Sequence, residues 1–377
     1  MRMIFLLLAG LLVLASSQAR PQVPAKTGDG FALPQPGREF SFPRDHGSHG
    51  DFKIEWWYIT GHLFGDDGRR YGFQATFFRS AGSPTNSAGA DNPAFGSETL
   101  FLAHMALLDV QTGTFLHQQR LNRDGWDAFS ATSELNVRNG NWSLRMTDTN
   151  RGTMVLRGSL GGAANFQLAL QPLKPLVVFG QNSVSRKAAD PAAASYYLTF
   201  PRMEAVGEIR LPSETNQVRG EAWMDHEISS SQQGAEQQGW DWCCLQLKDG
   251  REIMAYRMRR QDGSPDEFST LAWVGTNGIV AQLPSAKFKM ETMRTWKSPV
   301  TGAVYPVSIK LATHDPESNQ RVQFVLEPLA ENQELAGGGS LAYWEGACRV
   351  RDEAGNEIGS AFLELTGYDG NLEKSLR

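Results

Sequence analysis

Two nearby stretches gather most of the side chains able to do chemistry. Gly220-Glu-Ala-Trp223-Met-Asp225-His226-Glu227-Ile228 is followed by Gly239-Trp240-Asp241-Trp242, and the polar run between them, residues 229–238, reads as a loop or linker. Titratable groups beside large aromatics suit a buried acid–base site or a ligand pocket. They equally suit an aromatic core with carboxylates at solvated strand ends. If 220–228 is one strand, Glu221, Trp223, Asp225 and Glu227 share a face, while Ala222, Met224, His226 and Ile228 share the other. Asp225 and His226 then serve one pocket only where a bulge intervenes or the strand ends. In 239–247, Asp241 shares its face with Cys243, Leu245 and Leu247. A carboxylate there would be pushed up by desolvation and could act as a general acid. The alternative is a salt bridge from Asp241 to Arg257 or Arg219.

Several common catalytic engines are absent. There is no G-x-S-x-G elbow, Walker loop or dinucleotide fingerprint, and Ser230 stands where H-E-x-x-H would need its second histidine. A nucleophilic hydrolase or a zincin is therefore disfavoured. His46 and His49 have H-x-x-H spacing, but no third ligand is evident, so neither metal nor cofactor is expected. His62 and His104 read as packed strand residues. Trp56, Trp57 and Tyr58 read as core or barrel lining, with Trp57 turned opposite to its neighbours.

The elements that must position these groups are strands. Glu55–Phe64, Tyr71–Arg79, Leu100–Val110, Asn141–Met146, Thr153–Ser159 and Phe166–Leu170 are β-rich segments broken by Gly, Asn-Gly and Asp-Gly turns. The fold class is all-β, built of antiparallel sandwiches or barrels, with short helices expected at most near 282–294. A Trp-rich strand, an Asp-Gly turn and a strand ending in Arg occur twice, around Asp67-Gly68 and Asp249-Gly250. This repeat predicts two β domains that begin alike, with a seam near 229–238.

Residues 1–19 carry an early Arg2, an apolar run too short for a comfortable span, and small residues at Ser17 and Ala19. A cleavable signal peptide and an exported, periplasmic or extracellular protein follow as expectations, with 20–44 an irregular arm. The net charge of −5 is spread without a basic run, so nucleic acid is not an expected partner. Cys243 and Cys244 point to opposite strand faces, so at most one could meet Cys348 in a disulfide.

The stretches His46–Leu63, Ala194–Tyr197, Gly220–Glu227, Gly239–Trp242, Tyr343–Gly346 and Leu365–Tyr368, in that order, resemble the AttH-like secreted proteins of the carotenoid 1,2-hydratase (hydroxyneurosporene synthase) superfamily. The resemblance implies two lipocalin-like antiparallel β-barrel domains in tandem, 45–232 and 233–377. It also implies an apolar lipid or isoprenoid ligand. If the protein is an enzyme, it is a lyase adding water to an isoprenoid double bond rather than a Ser/Cys or metallo-hydrolase. His226 and Asp241 are then the acid–base candidates, with Asp225 and Glu227 orienting or sharing the proton. Trp223, Trp240, Trp242, Tyr197 and Trp57 would line the pocket. Ile228 stands where hydratase-like members carry an aromatic, which leaves a second reading open. That reading is a non-catalytic carrier of a hydrophobic ligand, associated with an envelope export system.

Overall fold

The two Asp-Gly turns close hairpins of the same build. Gly68 and Gly250 take φ values of 85° and 84°, a left-handed conformation that glycine adopts without strain. Gly65 N–H donates to Arg69 O, and Leu247 N–H donates to Arg251 O, at 2.8 and 2.9 Å. The turns join Ile54–Gly65 to Arg70–Ser80, and Gln237–Leu247 to Glu252–Arg260. In each half the opening strand pairs on its other side with the closing one. Ile54–Gly65 is bonded to Glu214–Ser231, and Gln237–Leu247 to Glu357–Leu365.

These pairings come from a computed structural model that describes residues 24–84, 98–125, 127–337 and 342–370. The expected signal peptide, 1–19, lies outside the described residues. The first half forms a 13-stranded antiparallel sheet and the second a 10-stranded one. The first curls into a nearly closed barrel around a core that includes Trp57, Phe73, Trp142, Leu156 and Met224. Its ends approach each other where the Asn139 amide donates to Phe101 O at 3.0 Å and Asn122 donates to Asn139 Oδ1 at 2.6 Å. The second sheet wraps a core that includes Leu245, Trp273, Tyr305 and Trp344. Residues 24–52 run irregularly, and their Gln35 N–H donates to the Tyr196 hydroxyl at 2.7 Å.

Some sequence expectations need correction. The polar run begins inside a strand, since Glu214–Ser231 continues through Ser229 and only 232–236 separate the sheets. No helix occupies 282–294. Strand Val280–Pro284, a three-residue 3-10 turn at Ser285–Lys287 and strand Lys289–Lys297 stand there, the last paired with Val304–His314. All three cysteines are free and buried. Cys243 and Cys348 do share the second core, but they pair with Leu363 and Ala361 of the strand that runs between theirs, so the sheet keeps the sulfurs apart.

The two sheets pack outer face to outer face. Tyr58, Phe179, Tyr197 and Trp223 of the first meet Trp242, Met254, Tyr256 and Phe362 of the second in one apolar cluster. Strands at this seam are therefore buried on both faces, and Tyr58 to Leu63 is an unbroken buried run. In the strand Ala164–Pro172, away from the seam, residues 164–171 alternate between buried and exposed. Polar bonds pin the contact. Fully buried Glu252 of the second sheet accepts from Lys174 Nζ at 2.5 Å and Arg202 Nε at 2.6 Å, both from the first half. Replacing Glu252 with Ala strands those cations, and we expect a loss of about 3–5 kcal/mol in urea unfolding. A loss below about 1 kcal/mol would mean that solvent replaces the carboxylate freely.

Candidate functional site

The alternation of Glu214–Ser231 sends Trp223, Asp225 and Glu227 into the seam. The buried Asp225 carboxylate collects three donors there. Tyr197 Oη donates to Oδ2 at 2.7 Å, while Thr199 Oγ1 and Trp223 Nε1 donate to Oδ1 at 2.6 and 2.7 Å. Trp242 Nε1 donates in turn to the Tyr197 hydroxyl at 2.9 Å, which ties the second sheet to the group. No cation pairs with Asp225 among the described residues. Burial pushes its carboxyl up, the hydrogen bonds of Thr199 and Tyr197 oppose that, and the charge of Glu227 adds to it, leaving Asp225 at about 7. Glu227 itself accepts from Ser195 Oγ and pairs with buried Lys187 at 3.2 Å. The Lys187 ammonium lies over the rings of Tyr197 and Tyr256, 4.7 and 4.1 Å from their centroids.

The facing sheet contributes two more carboxyls. Glu345 is buried, and its Oε1 accepts from Tyr58 Oη at 2.5 Å. Its Oε2 is a buried atom without a partner. Burial, with Glu364 nearby, holds Glu345 well above the usual carboxylate range. Gly72, Gln74, Leu108, Gln333 and Phe362 close around it, leaving a packing gap too small to hold a water molecule. Glu364 accepts from Trp240 Nε1 at 3.2 Å, and burial raises it to about 8. Next to these, His104 Nδ1 and Tyr343 Oη share a hydrogen bond of 2.7 Å. The seam thus gathers carboxyls that keep their protons near neutral pH, among aromatic faces. Tyr58 and Trp242 meet edge to face at 5.2 Å. Such groups can donate a proton and take one back.

The structure brings together only part of the residue set expected from sequence. Asp225, Glu227, Trp223, Trp240, Trp242 and Tyr197 share the seam. His226 does not: the pairing of its strand with Ile54–Gly65 carries no bulge, so its ring faces the first barrel. There it stacks on Trp57 at 4.9 Å, and its Nε2 lies 2.8 Å from Glu55 Oε1. Trp57 therefore lines the barrel and not the seam. Asp241 faces the core side of the second sheet, bound by Arg257 Nε at 2.8 Å, by Arg259, and by Tyr368 Oη at 2.8 Å. With two guanidiniums against it, Asp241 is an ion-pair anchor; the salt bridge weighed against the general-acid reading is the one present. His46 and His49 part company as well. His46 packs on Phe42 and Phe200, while His49 joins Glu55. Glu345, Glu364, Tyr58 and Lys187 were absent from the expected set. Glu345 lies in the stretch Tyr343–Gly346 and Tyr58 in His46–Leu63, both far in sequence from the central cluster, while Glu364 and Lys187 fall in none of the stretches.

A family model described as AttH-like matches residues 33–368. The crystal structure of an AttH from Nitrosomonas europaea is similar at 33% identity, covering 90% of this chain and 100% of that one, with a TM-score of 0.78. Kievitone hydratase from Nectria haematococca shares the fold at 15% identity, covering 92% and 96%, with a TM-score of 0.63. CghA crystallised with Sch210972 shares it at 14% identity, covering 92% and 98%, with a TM-score of 0.52. No curated protein matches the chain.

The raised Asp225 carboxyl has a measurable consequence. The unfolded chain releases this proton near the ordinary value of 3.8, whereas the folded protein holds it to about 7. Between those values the folded state binds the extra proton, so this group's contribution to stability declines as pH rises. The stability of Asp225→Asn relative to wild type should therefore climb by a few kcal/mol between about pH 4 and 7 and level off above. Urea titrations across that range check it, and a pH-independent difference would contradict a protonated Asp225.

Proposed function

The chain belongs to the AttH-like family, and from that premise we propose that it is an exported, hydratase-like acid–base protein acting on the alkenyl end of an apolar lipid or isoprenoid. One observation carries the reading: the Glu345 carboxyl, held through Oε1 by Tyr58 and raised by burial, leaves Oε2 buried and unpartnered in an aromatic seam. In the proposed reaction Glu345 Oε2–H gives its proton to an alkene carbon, and the π pair forms the new C–H bond. The neighbouring carbon becomes cationic beside the faces of Tyr58 and Trp242. Water adds there, and the proton it sheds returns to the Glu345 carboxylate. Asp225 and Glu364, at about 7 and 8, keep the surroundings from accumulating negative charge. The two sheets are closed over Glu345, so they would have to part for the reacting end of a substrate and a water molecule to reach it. The fold shared with kievitone hydratase is consistent with this chemistry.

The carrier reading, in which a hydrophobic ligand is passed to an envelope export system, uses the same apolar seam but needs no proton donor. The test is incubation of the purified full chain with farnesol and with native envelope lipid extract in D₂O, followed by mass spectrometry. Addition of one D₂O to an alkene is the expected outcome. Glu345→Gln should lower that rate by about 10²–10⁴-fold while binding stays nearly unchanged. Tight binding of unaltered lipid, equal in wild type and Glu345→Gln, would establish carriage instead.

A further inference from the structure

The cluster on the far side of the Glu214–Ser231 strand plays no part in the seam chemistry. It is built from three separate segments. His49 follows the short 3-10 turn Arg44–His46, Glu55 stands at the start of Ile54–Gly65, and His226 comes from the closing strand of the first barrel. All three are buried, and one potential ligand atom from each lies within 4.8 Å of the others. Glu55 Oε1 is the common point, 2.8 Å from both His49 Nδ1 and His226 Nε2. Its other oxygen is already committed: Oε2 accepts from His49 N–H at 2.8 Å and Arg79 Nε at 3.2 Å.

We infer that this end of the first barrel is a site for a divalent first-row cation of the zinc class, ligated by His49 Nδ1, Glu55 Oε1 and His226 Nε2. Each ligand is oriented from behind as such sites require. His49 directs its far nitrogen, Nε2, to Asp45 Oδ1 at 2.9 Å, the carboxylate–histidine arrangement that aims the near nitrogen at a metal. Arg79 and a backbone N–H hold the Glu55 carboxylate by the oxygen that faces away. The His226 ring is fixed by its stack on Trp57, and its Nδ1 is a buried atom without a partner. That nitrogen can hold the ring proton when Nε2 turns its lone pair to the ion. Two imidazoles and one carboxylate favour Zn²⁺, Co²⁺ or Ni²⁺ over Mg²⁺ or Ca²⁺, which take oxygen ligands. Three protein ligands leave a tetrahedral position for water. Arg44, about half exposed, is 3.3 Å from His49 Nε2, and with Arg38 and Arg79 it offsets the charge of Asp45 and Glu55. The inference is independent of the hydratase reading, since the two sites occupy opposite faces of the strand.

The test uses the full chain treated with EDTA and then titrated with Co²⁺. The expected result is visible tetrahedral absorption saturating at one equivalent, displaced by Zn²⁺, and a rise in Tm on adding Zn²⁺. His226→Gln and Glu55→Gln should each weaken Co²⁺ binding by at least about a hundredfold, and Asp45→Asn by about 10–100-fold. His46→Gln should bind as wild type. Circular dichroism reports folding, and where Glu55→Gln fails to fold, His226→Gln and Asp45→Asn decide. Absence of tetrahedral absorption in wild type, or undiminished binding by folded His226→Gln, overturns the site.

Discussion

A strand buried on both faces delivers alternate residues to two separate dry compartments. In this protein that constraint governs everything else. Glu214–Ser231 is flanked by the first barrel's core on one side and the second sheet on the other, with a regular register against Ile54–Gly65. Asp225 and His226 are adjacent in sequence and belong to different environments. The same rule parts Trp57 from Trp56 and Tyr58, and Asp241 from Trp240 and Trp242.

Within those compartments, the availability of cations decides what each acid becomes. Asp241 sits against Arg257 and Arg259, and Glu252 against Lys174 and Arg202. Glu55 is surrounded by His49, His226 and Arg79, whose hydrogen bonds and charge outweigh burial and hold its carboxyl well below the usual range. All three serve as ion-pair fasteners. Asp225, Glu345 and Glu364 receive hydrogen bonds from Tyr, Thr and Trp side chains, without an ion-pair partner among the described residues. Neutral donors cannot offset the full cost of desolvating a charge, so protonation is the cheaper solution for these three. For Asp225 and Glu345 the distinction between a fastener and an acid lies in the neighbours, since they are as hidden from water as Asp241, Glu252 and Glu55.

Much of this was legible in the sequence, for definite reasons. Alternation and Asp-Gly turns predicted the hairpins because both are local: the turn glycines and the facing residues lie within one segment. The Arg257 partner of Asp241 was legible too, since 241 and 257 are opposite one another across that hairpin. The seam was not. Glu345 owes its character to burial against the other sheet, where it meets Tyr58, 287 positions away, and no period or spacing carries that information. The same holds for the His49–Glu55–His226 cluster, in which Glu55 and His226 are 171 positions apart while the visible H-x-x-H pair diverges. The expected helix near 282–294 failed differently: Lys289–Lys297 is largely exposed, and only its partner Val304–His314 makes it a strand.

The pairing of opening with closing strands also sets a timetable. Tyr58 meets Asp225, and Trp242 meets Glu364, only after the intervening chain has been synthesised and each sheet has come round on itself. Contacts of such long span form late in folding. Glu364 lies in Glu357–Leu365, the last strand of the second sheet. The acidic seam is therefore complete only once both sheets have closed, and a half-folded chain carries the individual carboxyls as ordinary solvated anions.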